Sequence, residues 1–445
     1  MSQQSQKSKI SPLTLRHPKG ELRTLTWKSW LHNVALSQTE DFVRLCESER
    51  KKYSELKKAH GLQDFEVRCL QAKKCARSSF RGETLHRIYI DVLRTRGELE
   101  FFRLESTRRF LLEVLLLWCI TNKTEYTQGM NDILATITMA ILGDYALLKA
   151  LHQKGKTHPR YPRQLLQLVI PAHMGSDALS IFSGFMLKLP AMFSPDRKGQ
   201  GQKDDTLIEC LRFVQSRLLK EFDSELWEFL EKCGAPPELY MLKWVRLLFS
   251  REFELPQVLM VWDELVMKGG IDSRLGFGLV EYLCVCLLRF VRYELLNYVN
   301  IDDESSLVEA LRRILRFPSV PDIQSLVNQA KELRSKFLTK YPTLAMQNER
   351  KKVGASESQQ RKAMKTRKLP SRSAFDFISD SSVPVTLFKE DRDTPESPSA
   401  FEFLREAQTG AGQRNAPTEK HSSSHQTQGE AKNAFDFADF DIMNK

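Results

Sequence analysis

The chain has 445 residues, and 41% of them are apolar, which excludes a wholly disordered polymer and leaves room for a large buried core. Lys and Arg number 67 against 56 Asp and Glu, a net charge of +11 that favours acidic partners (phosphates, anionic lipids, acidic proteins) without choosing among them. With 20 Gly, 18 Pro and 28% charged residues, the composition suits a helix-rich protein better than a turn-dense sandwich or barrel. In chain order, the opening MSQQSQKSKI is polar, lacks the apolar centre of a secretory signal and has no Gly at position 2 for a myristoyl chain, so export is not expected. From about Arg16 to Tyr341 apolar residues recur at helical spacing, and period-two alternation is hard to find. In MLKWVRLLF, Met241, Trp244, Val245, Leu248 and Phe249 share one helical face; in QVLMVWDELVMK, Val258, Val261, Trp262, Leu265 and Val266 do the same, with Pro256 where a helix start tolerates it.

The longest apolar stretches, Phe110–Ile120, Ile133–Leu142 and Leu283–Leu288, are shorter than the ~20 residues that span a bilayer and read as core helices. Trp27, Trp30, Trp244 and Trp262 are expected in that core, while Arg23 and Arg246 are read equally as structural or partner-facing. The stretches His152–Gln164 and Ser194–Asp205 look like surface loops. The eight cysteines include no C-x-x-C and no nearby His pair at zinc-ligand spacing, so reduced, packed thiols are expected and no metal site.

After about Ala345 aliphatic periodicity gives way to Ser, Gln, Lys, Glu and Pro, which marks residues 346–445 as a disordered tail; residues 1–15 read likewise. Within the tail, Arg350–Arg372 carries nine Lys/Arg against one Glu, and Ser373–Lys445 seven against thirteen acids: a basic collar, then an acidic segment. AFDFI, AFEFL and AFDFA recur at Ala374, Ala400 and Ala434. Composition or duplication explains such islands; so does a repeated docking motif in which Phe375 with Ile378, Phe401 with Leu404, and Phe435 enter apolar pockets.

The most informative residues are IYIDVLRT (Ile88–Thr95) and YTQGMND (Tyr126–Asp132). Asp91 precedes Arg94 by three, so on a helix the two share a face; alone, this reads as a solvated ion pair worth about 0–1 kcal/mol. Gly129 points to unusual backbone torsion or close approach, with Tyr126 and Met130 packing around Gln128; an ordinary helix start capped by Asn131 or Asp132 is the plainer reading, and the two are compatible. Together the two segments resemble the paired I-x-x-D-x-x-R-T and Y-x-Q-G-M signatures of the TBC domain, the catalytic module of Rab GTPase-activating proteins. LRTLTWKSWL, WVRLLFSREF, VWDELV and GFGLVEYL are similar to its other motifs, and the later blocks resemble its retromer-associated branch.

The resemblance implies an all-α fold: a two-lobed helical TBC domain over residues 16–345, followed by the tail. It implies two fingers supplied in trans, Arg94 to neutralise charge on the phosphate oxygens and Gln128 to orient the attacking water, with Asp91, Thr95, Tyr126 and Gly129 in support. A guanidinium forks across two oxygens where an ammonium does not, and a carboxamide accepts from water while donating to phosphate. GTP and Mg²⁺ would be carried by the partner, so no cofactor of the chain's own and no hydrolysis of its own are expected; no phosphate-loop sequence is present. The implied partners are a Rab GTPase of the Rab-seven class, retromer and Atg8-like proteins, in a cytoplasmic protein recruited to endosomal or autophagosomal membranes, with peripheral membrane contact through the collar. The alternative is a catalytically weak adaptor. Nucleic acid is not expected, because the basic stretch Arg50–Lys58 lacks interleaved aromatics. Family members usually carry Pro where this chain has Gly97, which predicts a looser finger loop.

Overall fold

The computed structural model describes residues 12–60, 62, 80–189, 204–267, 278–298 and 306–342. Among the described residues there is no strand, and the fold is all-α. Helices α1 (Arg23–His32), α2 (Thr39–Ala59), α3 (Phe80–Leu93), α4 (Glu105–Asn122), α5 (Met130–Gln153) and α6 (Met174–Lys188) form one packing group, in which α6 lies against α1, α2, α4 and α5. Helix α7 (Asp204–Phe213) runs on through a π-helical stretch, Val214–Leu219, and is followed by α8 (Ser224–Lys232), α9 (Met241–Arg246) and α10 (Leu255–Met267). Helices α11 (Leu279–Phe290), α12 (Arg292–Tyr298), α13 (Ser306–Leu315) and α14 (Ile323–Lys340) complete the chain, with α11 packed on α14, the π-helical stretch and α9. Helix α10 touches α1 and α5 on one side and α14 on the other, joining the two groups.

The joint is aromatic and ionic together. Trp27, Phe185 and Trp262 meet with ring centroids 5.0–6.0 Å apart where α1, α6 and α10 converge. Asp263, one residue beyond Trp262, accepts from the Arg23 guanidinium at 2.7–3.1 Å and from Trp27 Nε1 at 3.0 Å. Arg23 is therefore structural, a buried charge whose cost is offset by a paired carboxylate. Lys28, equally buried, lies 3.0 Å from Asp177 and 2.6 Å from Glu49; burial opposes its charge, yet those two carboxylates hold it above its ordinary range.

Helix α5 is longer than its apolar stretch: at 24 residues it has the length and hydropathy to cross a membrane, but most of it is buried among the other helices, as in a core helix. Trp30 departs from expectation at 49% exposed. It lies in the last turn of α1, where Leu31 stays buried, Ser29 and His32 are half-buried and Asn33 beyond is exposed. The apolar set Met241, Trp244, Val245, Leu248 and Phe249 is buried throughout, but its single helical face is not realised. Helix α9 stops at Arg246, and Leu248 (φ 47°) and Phe249 (φ 60°) adopt the left-handed conformation, which costs such residues roughly 1–3 kcal/mol each. The expected loop His152–Gln164 is anchored rather than free: His158 is buried against Tyr161, whose hydroxyl accepts the Leu22 N–H at 3.2 Å. In the basic stretch of α2, Arg50 donates to Leu168 O at 2.7 Å and Lys57 lies 3.1 Å from Glu113, so two of its cations serve packing. Cys46, Cys119, Cys210, Cys233, Cys284 and Cys286 are buried; Cys69 and Cys75 lie outside the described residues.

Candidate functional site

Helix α3 buries Leu85, Ile88 and Val92 and leaves Ile90 and Leu93 at 47% and 39% exposed. It ends in a turn where Arg94 N–H and Thr95 N–H reach the carbonyls of Asp91 and Val92. The Thr95 hydroxyl donates to Asp91 O at 2.7 Å, fixing the exit. Arg94 is 58% exposed and donates through Nε to Asp91 Oδ1 at 2.9 Å, while Asp91 itself is only 8% exposed. The geometry leaves the guanidinium at the surface and its partner anchored in the core.

Tyr126 supplies the second anchor. Its buried hydroxyl lies 2.8 Å from Asp91 Oδ2 and 3.0 Å from Asn131 Oδ1, and burial followed by the Asp91 charge pushes the phenol far above its ordinary range. The Asn131 oxygen also accepts the Gly129 N–H at 3.1 Å, and its amide donates to Thr95 Oγ1 at 2.9 Å. Gly129 sits at φ 106°, a conformation suited to glycine, and is itself the N-cap of α5. The reading of Asn131 or Asp132 as the cap is thus corrected: both lie in the first turn, and Asn131 turns its side chain back to tie Gly129 and Thr95. Gln128 precedes Gly129 and is exposed. Arg94 and Gln128 therefore project from two surface segments that are cross-linked by Asp91–Tyr126 and Thr95–Asn131.

A third segment closes around these two. Arg251 donates through Nε to Asp132 Oδ1 at 3.0 Å, and Arg96 reaches Ser250 O at 2.5 Å. Arg96, Ser250 and Arg251 were not singled out by sequence reasoning, and Asn131 was read only as a possible helix cap; the signals were that Asn131 adjoins YTQGM and that Ser250 and Arg251 lie in the WVRLLFSREF block. Gly97 keeps ordinary backbone torsion and a Cβ placed there meets nothing within 4 Å; the left-handed residue of this turn is Arg96, at φ 45°. Arg246 is half-buried at the end of α9. Phe375, Ile378, Phe401, Leu404 and Phe435 lie outside the described residues. Among the described residues no cluster of three His, Cys, Asp or Glu side chains is placed to hold a metal.

A family profile described as the Rab-GTPase-TBC domain matches residues 21–296, which include all three segments. The chain belongs to this family. TBC1 domain family member 5 of Homo sapiens is 32% identical over 266 residues, covering 55% of this chain and 31% of that protein, and its Mus musculus counterpart is similar to the same extent. A Dictyostelium discoideum protein, TBC1 domain family member 5 homolog B, is 34% identical over 131 residues, 29% of this chain and 12% of its own length. The aligned TBC region thus spans less than a third of each of these relatives. Among solved structures, the Ypt/Rab-GAP domain of Gyp1p superposes with a TM-score of 0.53 at 18% identity, over 71% of this chain and 88% of that one, and supports the TBC fold.

Proposed function

We propose that this TBC chain accelerates GTP hydrolysis by a partner Rab GTPase, with Arg94 as the arginine finger and Gln128 as the water-positioning residue. The observation that carries the reading is the cross-link just described: two exposed polar side chains of the right chemistry stand on backbones fixed to each other through Asp91, Tyr126, Asn131 and Thr95. Phosphoryl transfer in this class needs charge neutralisation and orientation more than proton abstraction, so a pre-set guanidinium and carboxamide suffice. The nucleotide and Mg²⁺ arrive on the GTPase. Asp91 acts as orienter of the finger: on binding, Arg94 exchanges a surface ion pair for the phosphate oxygens, while Tyr126 keeps the carboxylate in place. Ile90 and Leu93, exposed within one helical turn of Arg94, offer the GTPase an apolar seat.

The motif resemblance to the retromer-associated branch supports a Rab of the Rab-seven class and an endosomal or autophagosomal setting for a cytoplasmic protein. A second reading, an adaptor for retromer and Atg8-like proteins, is favoured by the threefold recurrence of the Phe motif in the tail. The test is a hydrolysis screen over GTP-loaded Rab proteins. The activator reading expects a Rab whose rate rises with intact chain and falls roughly 10³-fold or more with Arg94→Ala, the scale of an arginine finger, and substantially with Gln128→Ala. Stimulation that is equal for all three proteins leaves the adaptor reading in its place.

A further inference from the structure

Gly97 leaves the finger turn without the constraint a Pro supplies, and a Cβ placed there would meet nothing within 4 Å. The next residue back is held unusually hard. Arg96 adopts φ 45°, which a long side chain rarely does, and yet its side chain is only 8% exposed. Its carbonyl accepts the Leu99 N–H at 2.9 Å, and its guanidinium donates to Ser250 O at 2.5 Å, across 154 residues of sequence. Burial, and then the nearby Arg251 charge, pull this guanidinium below its ordinary range, while Asp132 and Glu98 oppose them. A buried cation in a left-handed conformation is a costly arrangement, and such strain clusters where a structure must hold something in place.

The receiving turn is strained as well. Leu248 and Phe249 have positive φ, Ser250 is fully buried, and the Leu248 carbonyl accepts from Trp262 Nε1 at 2.9 Å. Arg251 then grips Asp132, the neighbour of Asn131, and Asn131 donates to Thr95. The path closes on itself: Thr95 and Arg96 to Ser250, Arg251 to Asp132, Asn131 back to Thr95.

We propose that Arg96 is a positioning residue for the finger, bracing the turn after Arg94 against the Leu248–Ser250 turn and supplying the rigidity that Gly97 does not. This rests on the reading of Arg94 as the finger. With its head buried on a carbonyl, Arg96 acts through Arg94 and the turn, setting where Arg94 stands when the GTPase arrives.

The test uses the full chain and the Rab that it stimulates best, with Arg96→Met, which keeps the packed stem but removes the donor, and Arg96→Lys, which restores a single donor. Expected are a maximal stimulated rate lowered roughly 10- to 100-fold in Arg96→Met with the KM for the Rab within about twofold, a partial recovery in Arg96→Lys, and faster amide hydrogen exchange across residues 94–99 than in the intact chain. If Arg96→Met melts below the assay temperature, Arg96→Lys carries the comparison, with the same split between rate and KM and the same faster exchange expected. An unchanged maximal rate, or a lowered melting temperature with rate and exchange at 94–99 unmoved, overturns the brace. Arg94→Ala run alongside separates the two ideas: if it abolishes stimulation while the Arg96 variants do not alter it, the brace fails and the finger stands; if Arg94→Ala is itself without effect, the finger reading has failed, and the exchange measurement still decides whether Arg96 holds the turn.

Discussion

A hydroxyl has one proton, and Tyr126 Oη faces two acceptors, Asp91 Oδ2 at 2.8 Å and Asn131 Oδ1 at 3.0 Å. A carboxylate is a stronger acceptor than an amide oxygen, so the proton points toward Asp91, and in the proposed mechanism the phenol holds the acid that orients Arg94. Tyr126→Phe removes that donor and leaves a buried carboxylate oxygen short of a partner. We expect it to lower stability by about 1–3 kcal/mol and the stimulated GTPase rate roughly 10- to 100-fold, checked by chemical denaturation and single-turnover hydrolysis; a rate equal to that of the intact chain contradicts the role given to Tyr126. At this scale the motif resemblance pointed to Arg94 and Gln128 and to Asp91, Thr95, Tyr126 and Gly129 beside them, but not to the side chains that tie these segments to the rest of the fold. Asp91, Arg94 and Tyr126 were legible because two short motifs, Ile88–Thr95 and Tyr126–Asp132, occur together; the Asp91–Arg94 spacing alone reads as a solvated ion pair. Arg96, Arg251 and the bond from Asn131 to Thr95 were not, since each works through a residue far away in sequence, and nothing local marks a buried Arg bound to a distant carbonyl.

Helix ends carry a second, pH-dependent signature. Asp144 of α5 accepts both the Thr24 N–H and the Thr24 hydroxyl at 2.7 Å, capping the start of α1 from another helix. Burial pushes this carboxyl from its ordinary 3.8 up to about 6, against the pull of the Thr24 bonds. An acid whose folded-state pKa lies above its unfolded one contributes stability fully at pH below the unfolded value and loses it as pH rises through the folded value. Relative to Asp144→Asn, which does not titrate, the intact chain is expected to lose about 3 kcal/mol between about pH 3.5 and 7. Urea unfolding of both proteins across that range measures it, and a difference that does not vary with pH contradicts the assignment. Helices themselves were legible where periodicity persisted: Val258, Val261, Trp262, Leu265 and Val266 are all buried on α10 as expected. The pattern in MLKWVRLLF misled because periodicity reports which residues seek the core, not whether the backbone stays helical. Leu248 and Phe249 reach the core through a left-handed turn in which the buried carbonyls of Leu248 and Ser250 accept from Trp262 and Arg96.

For the whole molecule, the proposed fingers need a surface that seats the GTPase. Ile90 and Leu93 are 47% and 39% exposed, and they lie on the helix that leads to Arg94. Leu93→Ser with Ile90→Ser is expected to raise the KM for the partner Rab roughly 10-fold with little change in maximal rate, the loss of about 1–2 kcal/mol of apolar contact; steady-state titration reads it, and a fall in maximal rate with KM unchanged contradicts the seat. The all-helical class was legible from composition and periodicity, whereas the joining of two packing groups through α10 required the structure, because Arg23 and Asp263 are 240 residues apart. The central claim is that Arg94 meets charge that exists only in the transition state. The direct measurement is capture of the full chain by a Rab protein loaded with GDP and aluminium fluoride, the planar mimic of the transferring phosphoryl group. The account expects capture of the intact chain with the mimic, weak capture with GDP alone, and loss of the mimic-dependent gain in Arg94→Ala; equal capture of intact chain and Arg94→Ala by the mimic contradicts it.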